Sequence, residues 1–530
     1  MPARCVIILN LQPSRPNKFS PLTSALRAKN LPSKTCAIIA PFITRGNGVK
    51  KTIQGVDIEQ AISLARETLK DDKKLSPASR ATFELLLLLV TLLWNSISVN
   101  SRNSSLPPSQ DPNRDKTPQA KGKRKPGGQP GHNGVTLAPV DEPDTVRELR
   151  CDRRTLPKGK RYRKVGVEKR QVFDIEFRRL VTEYQAEVLE DEQGKRYVAP
   201  FPDGVSRPAQ YGQALKAHAV YLSQYQLLPY DRIREYFHDQ LGIPLSAGSL
   251  FNFNQEAYNK AQGFEQWVKQ KLTNAALAQA DETGINIDGK RRWLHCVSND
   301  QLTLLHAHTA RGGAATREMG VLPHFQGVLC HDHWKAYYQY DCTHALCNAH
   351  HLRELQKAHE QEGQQWPLRM QELLTRARQE TEDAGGQLLP KRVRYWRRRY
   401  RACLGEADKE CPPPDESQRN GKRGRLKRSP ARNLLERLRD YENDVLRFME
   451  VRFVPFTNNL AENDLRMTKV QQKISGCFRS LEGAQIFCRL RSYLSTARKQ
   501  GMRGSDALTM LLDGKTPPFM MDENNSSSDQ

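Results

Sequence analysis

The chain has 530 residues, a formal net charge of +24, 38% hydrophobic residues and a mean hydropathy of -0.71. That length excludes a single hydrophobic core, and eleven cysteines, an odd number scattered without a paired framework, suit a reducing compartment better than a disulfide scaffold. The excess of positive charge favours a polyanionic partner, through phosphate contacts and counterion release.

Residues 1–56 are basic, rich in Ser and Pro, and free of acids before Asp57, which predicts a disordered extension. Residues 57–99 read as N-terminal helices. "DIEQAISLARETLK" places apolar residues at steps of three and four, and Ser76-Pro77 is a good helix start. The run Leu85–Trp94 is about half the length that crosses a bilayer, so a buried helix and no membrane span are expected. The same helices could instead pair with a second subunit. Residues 100–144 form a basic flexible linker, whose "KGKRKPGGQPGH" offers Lys121, Lys123, Arg124 and Lys125 to a phosphate backbone.

Residues 145–205 read as a small β-rich region, with strand-like runs in "RQVFDIEF", "LVTEYQAEVL" and "KRYVAPFP". Residues 206–270 are helical. Within them, "PYDRIREYFHDQLGIPLSAGSLFNFNQEA" has the order helix, Gly-containing turn, helix from about Ser246, which is the spacing of a helix-turn-helix.

From Leu277 the period changes to that of strands. "ALAQADETGINIDGKRRWLHCVSNDQLTLLHAHTA" breaks at Asp288-Gly289 and Asn299-Asp300, so a three-stranded antiparallel meander is expected, with Asp281 near the end of its first strand. "GVLCHD" then makes a short strand ending at Asp332, followed by another strand and a helix. A meander followed by alternating helix and strand is the order of a ribonuclease-H-like fold, in which strands one and four adjoin. Asp281 and Asp332 would then sit side by side, and two such carboxylates need a cation between them. A third acid is available in "NNLAENDLRMTKVQQK", where Glu462, Arg466, Lys469 and Lys473 share one helical face. Asp464 would point elsewhere.

"ADETGI", "GVLCHDHWKAYY", "HALCNAHHLREL" and "NNLAENDLRMTKVQQK", together with "NSRNSSLPPSQD" and "KPGGQPGH", resemble the DDE transposases of the bacterial insertion sequence 66 type. The resemblance runs from about Leu75 to about Pro518. It implies a multidomain α/β protein: a ribonuclease-H-like catalytic core in residues 271–358 and 453–518, interrupted by a basic helical insertion at 359–452, preceded by helical and small β-rich DNA-binding regions, and ending in a disordered tail at 519–530. By motif match, Asp281, Asp332 and Glu462 fall on the catalytic, metal-holding triad, with Mg²⁺ or Mn²⁺, two ions, as cofactor. The implied function is metal-dependent DNA strand cleavage and strand transfer at insertion-sequence ends, in the bacterial cytoplasm. Terminal repeats and target DNA are the implied partners, with a homodimer or larger assembly on DNA and companion proteins of the element. The alternative is a DNA-binding accessory or regulatory protein with the same fold and no turnover.

The family's four-cysteine zinc segment is reduced here to Cys151, which makes residues 145–205 a degenerate finger position; one thiol cannot build a tetrahedral site. Cys330 and His331 alternate across a strand, and Cys347 and His350 match a family position that needs no zinc. No structural zinc is therefore expected. His350 and Arg353 are expected on the DNA-facing side. In the insertion, Arg397, Arg398 and Arg399 interleave with Tyr395, Trp396 and Tyr400 as in surfaces that grip nucleic acid.

Overall fold

The computed structural model describes residues 52–53, 56–71, 75–97, 99, 104, 137–415, 426 and 428–521. All belong to one compact unit, Gly48–Gln530. The cluster Lys121, Lys123, Arg124 and Lys125, the N-terminal extension before Thr52 and nearly all of the tail lie outside the described residues.

Two minimal strands, β1 (Thr52–Ile53) and β2 (Val56–Asp57), lead into α1 (Ile58–Asp71) and α2 (Pro77–Ile97). Pro77 occupies the first turn of α2, where its missing N–H costs nothing, and Ser76 caps that turn by accepting from the Ser79 N–H at 3.1 Å. The two helices are tied by Arg66 to Thr91 and by Arg80 to the Leu69 carbonyl. The expected burial of α2 is not met. Leu85, Leu88, Leu89, Leu92 and Leu93 are all exposed by roughly half, because α1 covers only one side of an all-round apolar helix. By length and composition Pro77–Asn95 is also apolar enough to cross a membrane.

The region around residues 145–205 carries less β-structure than its alternation predicts. Among the described residues it holds one hairpin, β3 (Val188–Glu190) with β4 (Arg196–Val198), closed by the Asp191–Gly194 turn. Val172 and Leu180 are about nine-tenths exposed. Alternation without a covering layer stabilises no ladder.

The helical layer follows: α3 (Gln213–Val220), α4 (Tyr230–Leu241), α5 (Ala247–Lys260) and α6 (Gln262–Thr273). The turn between α4 and α5 forms as its residues predict. Gly242 ends α4 in the left-handed conformation (φ 61°), and Ser246 caps α5 by accepting from the Ser249 N–H at 2.9 Å.

The central sheet has the order β7-β6-β5-β8-β9. The meander β5 (Leu277–Ile287), β6 (Lys290–Ser298) and β7 (Thr303–His308) is antiparallel, and turns fall at Asp288-Gly289 and Asn299-Asp300 as expected. The short α7 (Gly313–Met319) crosses to β8 (Val328–His331), which pairs parallel with β5, and β9 (Thr343–Leu346) pairs parallel with β8. At Gly327, a Cβ would lie 2.4 Å from the Ala275 carbonyl oxygen, so only glycine lets β8 start flush against β5.

Beyond β9 come α8 (Asn348–Glu362), α9 (Trp366–Asp383), α10 (Pro390–Glu410), α11 (Pro430–Asp440) and α12 (Glu442–Leu446). The chain then returns through α13 (Asn459–Ser475), α14 (Leu481–Lys499) and α15 (Gly504–Leu512). Ala278, Ala280, Leu304 and Leu329 pack against α3–α6, α14 and α15. Ile285, Ile287, Leu294 and Leu305 pack against α13 and the start of α14. The insertion has its own core, joined to the sheet through Val328, Cys330 and Leu346.

Candidate active site

Side chains on β5 alternate between these layers. Odd positions face α13, and even positions face the layer that contains Tyr337. Asp281 therefore looks toward α13, and Glu282 looks the other way. Asp281 lies in mid-strand rather than near the strand end. β8 pairs with β5 only through Gln279↔Cys330, whereas β6 accompanies β5 to Ile287↔Lys290. The aspartate has no paired residue of β8 beside it because that strand stops, while its own strand runs on. Asp332 is the first residue after β8 and continues that register toward Asp281. His333 then takes a left-handed conformation (φ 73°), unusual for a non-glycine residue. The turn brings the Trp334 N–H to 3.0 Å from Asp332 Oδ1.

Burial drives the Asp281 carboxyl well above the usual carboxylate range. The negative charges of Glu282, Asp332 and Glu462 push it further, and the Glu282 N–H, 2.9 Å from Asp281 Oδ1, opposes them. Three acids from β5, the β8 terminus and α13 thus share one field, although Asp281 and Glu462 are far apart in the chain. Glu282 was not anticipated from the sequence. Its carboxylate is buried and answered by Arg311, at 3.0 and 2.6 Å, and by the Tyr337 hydroxyl at 2.8 Å. Burial and Asp332 nevertheless raise its pKa above the ordinary value. The Asp-Glu doublet in "ADETG" was the available signal.

Glu462 sits in the first turn of α13, next to the buried stripe Ala461, Leu465 and Thr468. Its Oε1 is buried with no hydrogen-bond partner. The nearest basic side-chain atoms are Arg353 Nη2 at 3.7 Å and His350 Nδ1 at 3.9 Å, both from α8. His350 and Arg353 therefore stand beside the third acid. Asp464 points away, as expected. It accepts from Lys499 Nζ at 2.8 Å and Thr303 Oγ1 at 3.1 Å, which ties α13 to α14 and β7.

Asn458, just before α13, was also missed. Its side chain donates to the Ala280 carbonyl at 2.8 Å, and its N–H donates to Cys347 Sγ at 3.1 Å. One residue thereby fixes the third acid's helix to the strand of the first acid and to the start of α8. Arg437, from the insertion, is the last unanticipated member. Held by Glu354, it is close enough for its charge to interact with Asp332.

Glu462 has two sets of neighbours. Its charge and that of Asp332 both act on the Asp281 carboxyl. Among the described residues, the ligand atoms that lie within 4.8 Å of one another are those of Cys347, His350 and Glu462. Cys330 and His331 do separate to opposite faces. Cys330 joins the insertion core, while His331 meets His344 at 3.1 Å.

The cations proposed for DNA sort into two kinds. Arg398, Arg399, Arg466 and Lys473 are exposed. Arg397 is bound by Glu442 at 2.7 Å and Glu450 at 2.8 Å, and Lys469 donates to the Gly284 carbonyl at 2.5 Å. These two hold the fold together. Trp396 and Tyr400 are likewise core residues. They lie in a stripe with Cys403, Leu404 and Ala407, the spacing of a buried helical face and not of a stacking surface.

The fold and site together define a mixed α/β protein with clustered acids gathered at the centre of a five-stranded sheet and a basic helical insertion beside them. Residues 208–486, more than half of the chain, match the family model described as Transposase IS66 family, and the chain belongs to that family. A search of the curated proteins returned no match.

Proposed function

We propose that this protein is a DDE transposase that cleaves DNA at the ends of its insertion sequence and joins them to target DNA. The observation that carries this reading is the register that brings Asp332, just past the end of β8, alongside Asp281 on β5, with the Glu462 helix tied to the same strand through Asn458 and the Ala280 carbonyl. A protein that only held DNA would gain nothing from negative charge facing phosphate. The sheet order, an antiparallel meander followed by two parallel strands, supports a ribonuclease-H-like core.

The donor set suits Mg²⁺ or Mn²⁺, since Asp281, Asp332 and Glu462 offer hard carboxylate oxygens, and the charges of Asp332 and Glu462 both raise the Asp281 pKa. Bound there, a pair of such ions supplies charge neutralisation and activation of the attacking and leaving oxygens. Asp281 on β5 and Asp332 just past the end of β8 would hold the ions, and Glu462 would close the site from α13. Burial keeps His350 below its ordinary pKa, so its ring is neutral and serves as a hydrogen-bonding partner, while Arg353 and Arg437 offer charge to phosphate oxygens. The exposed Arg398, Arg399, Arg466 and Lys473, with the +24 charge, track the backbone. The reaction is hydrolysis of a phosphodiester at the element's end, then attack of the freed 3′-hydroxyl on target DNA. Pairing two ends calls for at least two protomers, working in the bacterial cytoplasm.

Labelled element ends incubated with the protein, Mg²⁺ and target plasmid test this. Asp281→Ala, Asp332→Ala and Glu462→Ala should abolish cleavage and joining while DNA retardation in a gel persists. Cleavage retained in any of them removes that residue from the role. Binding without cleavage by the unaltered chain would make it an accessory DNA-binding protein.

A further inference from the structure

The Cys347–His350–Glu462 cluster has chemistry that the carboxylate triad does not use. Cys347 is the residue that caps α8, and His350 lies one turn on, so both side chains rise from the same helix end. Glu462 approaches from α13. His350 Nδ1 and Glu462 Oε1 are both buried, 3.9 Å apart, and neither has a hydrogen-bond partner. Arg353 Nη2 stands 3.7 Å from the same Glu462 oxygen, beyond hydrogen-bond reach, so two buried polar atoms without a hydrogen bond face one another beside a thiol, an expensive arrangement unless something sits between them.

We propose that Cys347, His350 and Glu462 form a binding site for one thiophilic divalent cation of the Zn²⁺ class, sharing only Glu462 with the carboxylate triad. Sulfur, imidazole nitrogen and carboxylate oxygen are the ligands this class prefers, and three protein ligands leave a fourth position open to water or phosphate. From sequence, Cys347 and His350 are spaced like one half of a zinc site, and zinc is not expected because they match a family position that needs none. The missing ligand is a residue more than a hundred positions away in the chain. A thiol binds a metal as the thiolate, so binding forms the sulfur–metal bond with release of the Cys347 proton to solvent, and the Asn458 N–H already donates to that sulfur. Glu462 belongs to both donor sets. On the catalytic reading above, an ion here competes with Asp281 and Asp332 for that carboxylate.

The test is titration of the full chain with Co²⁺ alone, followed by near-ultraviolet absorbance, and needs no DNA. One equivalent should bind with a thiolate-to-cobalt band, and Zn²⁺ should displace it. Cys347→Ser should abolish the band while keeping an acceptor for the Asn458 N–H. His350→Ala should weaken binding at least about tenfold and serves as the second variant if the serine chain fails to fold. Cys342→Ser, near the separate His344 ring at 3.9 Å, should leave the band intact. No thiolate band, or a band lost in Cys342→Ser and kept in Cys347→Ser, overturns the site. The catalytic reading would survive that result, because Mg²⁺-dependent cleavage is measured separately.

Discussion

Asn458 donates its side-chain N–H to the Ala280 carbonyl at 2.8 Å, one residue before Asp281. It is fully buried, and its backbone N–H also reaches Cys347. The third acid's helix is thus referenced directly to the strand of the first. Asn458→Ala should strand the Ala280 carbonyl in the interior and lower stability by about 1–3 kcal/mol. The thermal unfolding midpoint checks this. Cleavage should fall by more than the stability loss explains, because Glu462 loses its reference to β5.

Asp281 predicts an effect of pH on the metal-free protein. Its folded pKa is raised well above the unfolded value, chiefly by burial and then by Glu282 and Asp332. A carboxyl with a raised pKa contributes stability that is complete below the unfolded pKa, near 4, and is lost as pH rises through the folded value. Asp281→Asn, which imitates the neutral acid, should therefore raise the midpoint of the metal-free protein at neutral pH. The gain should vanish below about pH 4. Adding Mg²⁺ should stabilise the unaltered chain and not the variant. A pH-independent difference would contradict the assignment.

Glu282 should prove structural. Its carboxylate is 1% exposed and answers Arg311, which is 44% exposed. Glu282→Ala leaves a partly solvated guanidinium and an unpaired Tyr337 hydroxyl, a loss of roughly 2–3 kcal/mol after allowing for the solvent at Arg311. Tyr337→Phe removes only the 2.8 Å hydrogen bond and should cost about 1 kcal/mol. Denaturant midpoints of the two variants give the order.

Asp464 discriminates between the two acids of α13. Its contacts with Lys499 and Thr303 are mostly buried and tie α13 to α14 and β7. Asp464→Ala should destabilise by about 1–3 kcal/mol yet leave Mn²⁺ binding, read by paramagnetic resonance, unchanged. Loss of Mn²⁺ in this variant, with retention in Glu462→Gln, would exchange their roles.

Several features were legible from local pattern alone. Alternating apolar residues broken at Asp288-Gly289 and Asn299-Asp300 specify the meander, because strand period and turn chemistry are properties of a few neighbouring residues. Ser246 and Gly242 specify the α4–α5 turn for the same reason. Composition pointed to a polyanionic partner, and the acids at 281, 332 and 462 could be marked as candidates. Tertiary structure decided what those residues meet. Periodicity cannot say whether an arginine is free or bound, and Arg397 is claimed by Glu442 and Glu450. An aromatic beside arginine looks the same whether it stacks on a base or, like Trp396, fills a core. The leucines of α2 promise burial that α1 is too narrow to provide. Glu282, Asn458 and the third ligand beside Cys347 and His350 are set by packing between elements remote in the chain. Such contacts depend on where helices and strands come to rest, and no spacing within one segment encodes that.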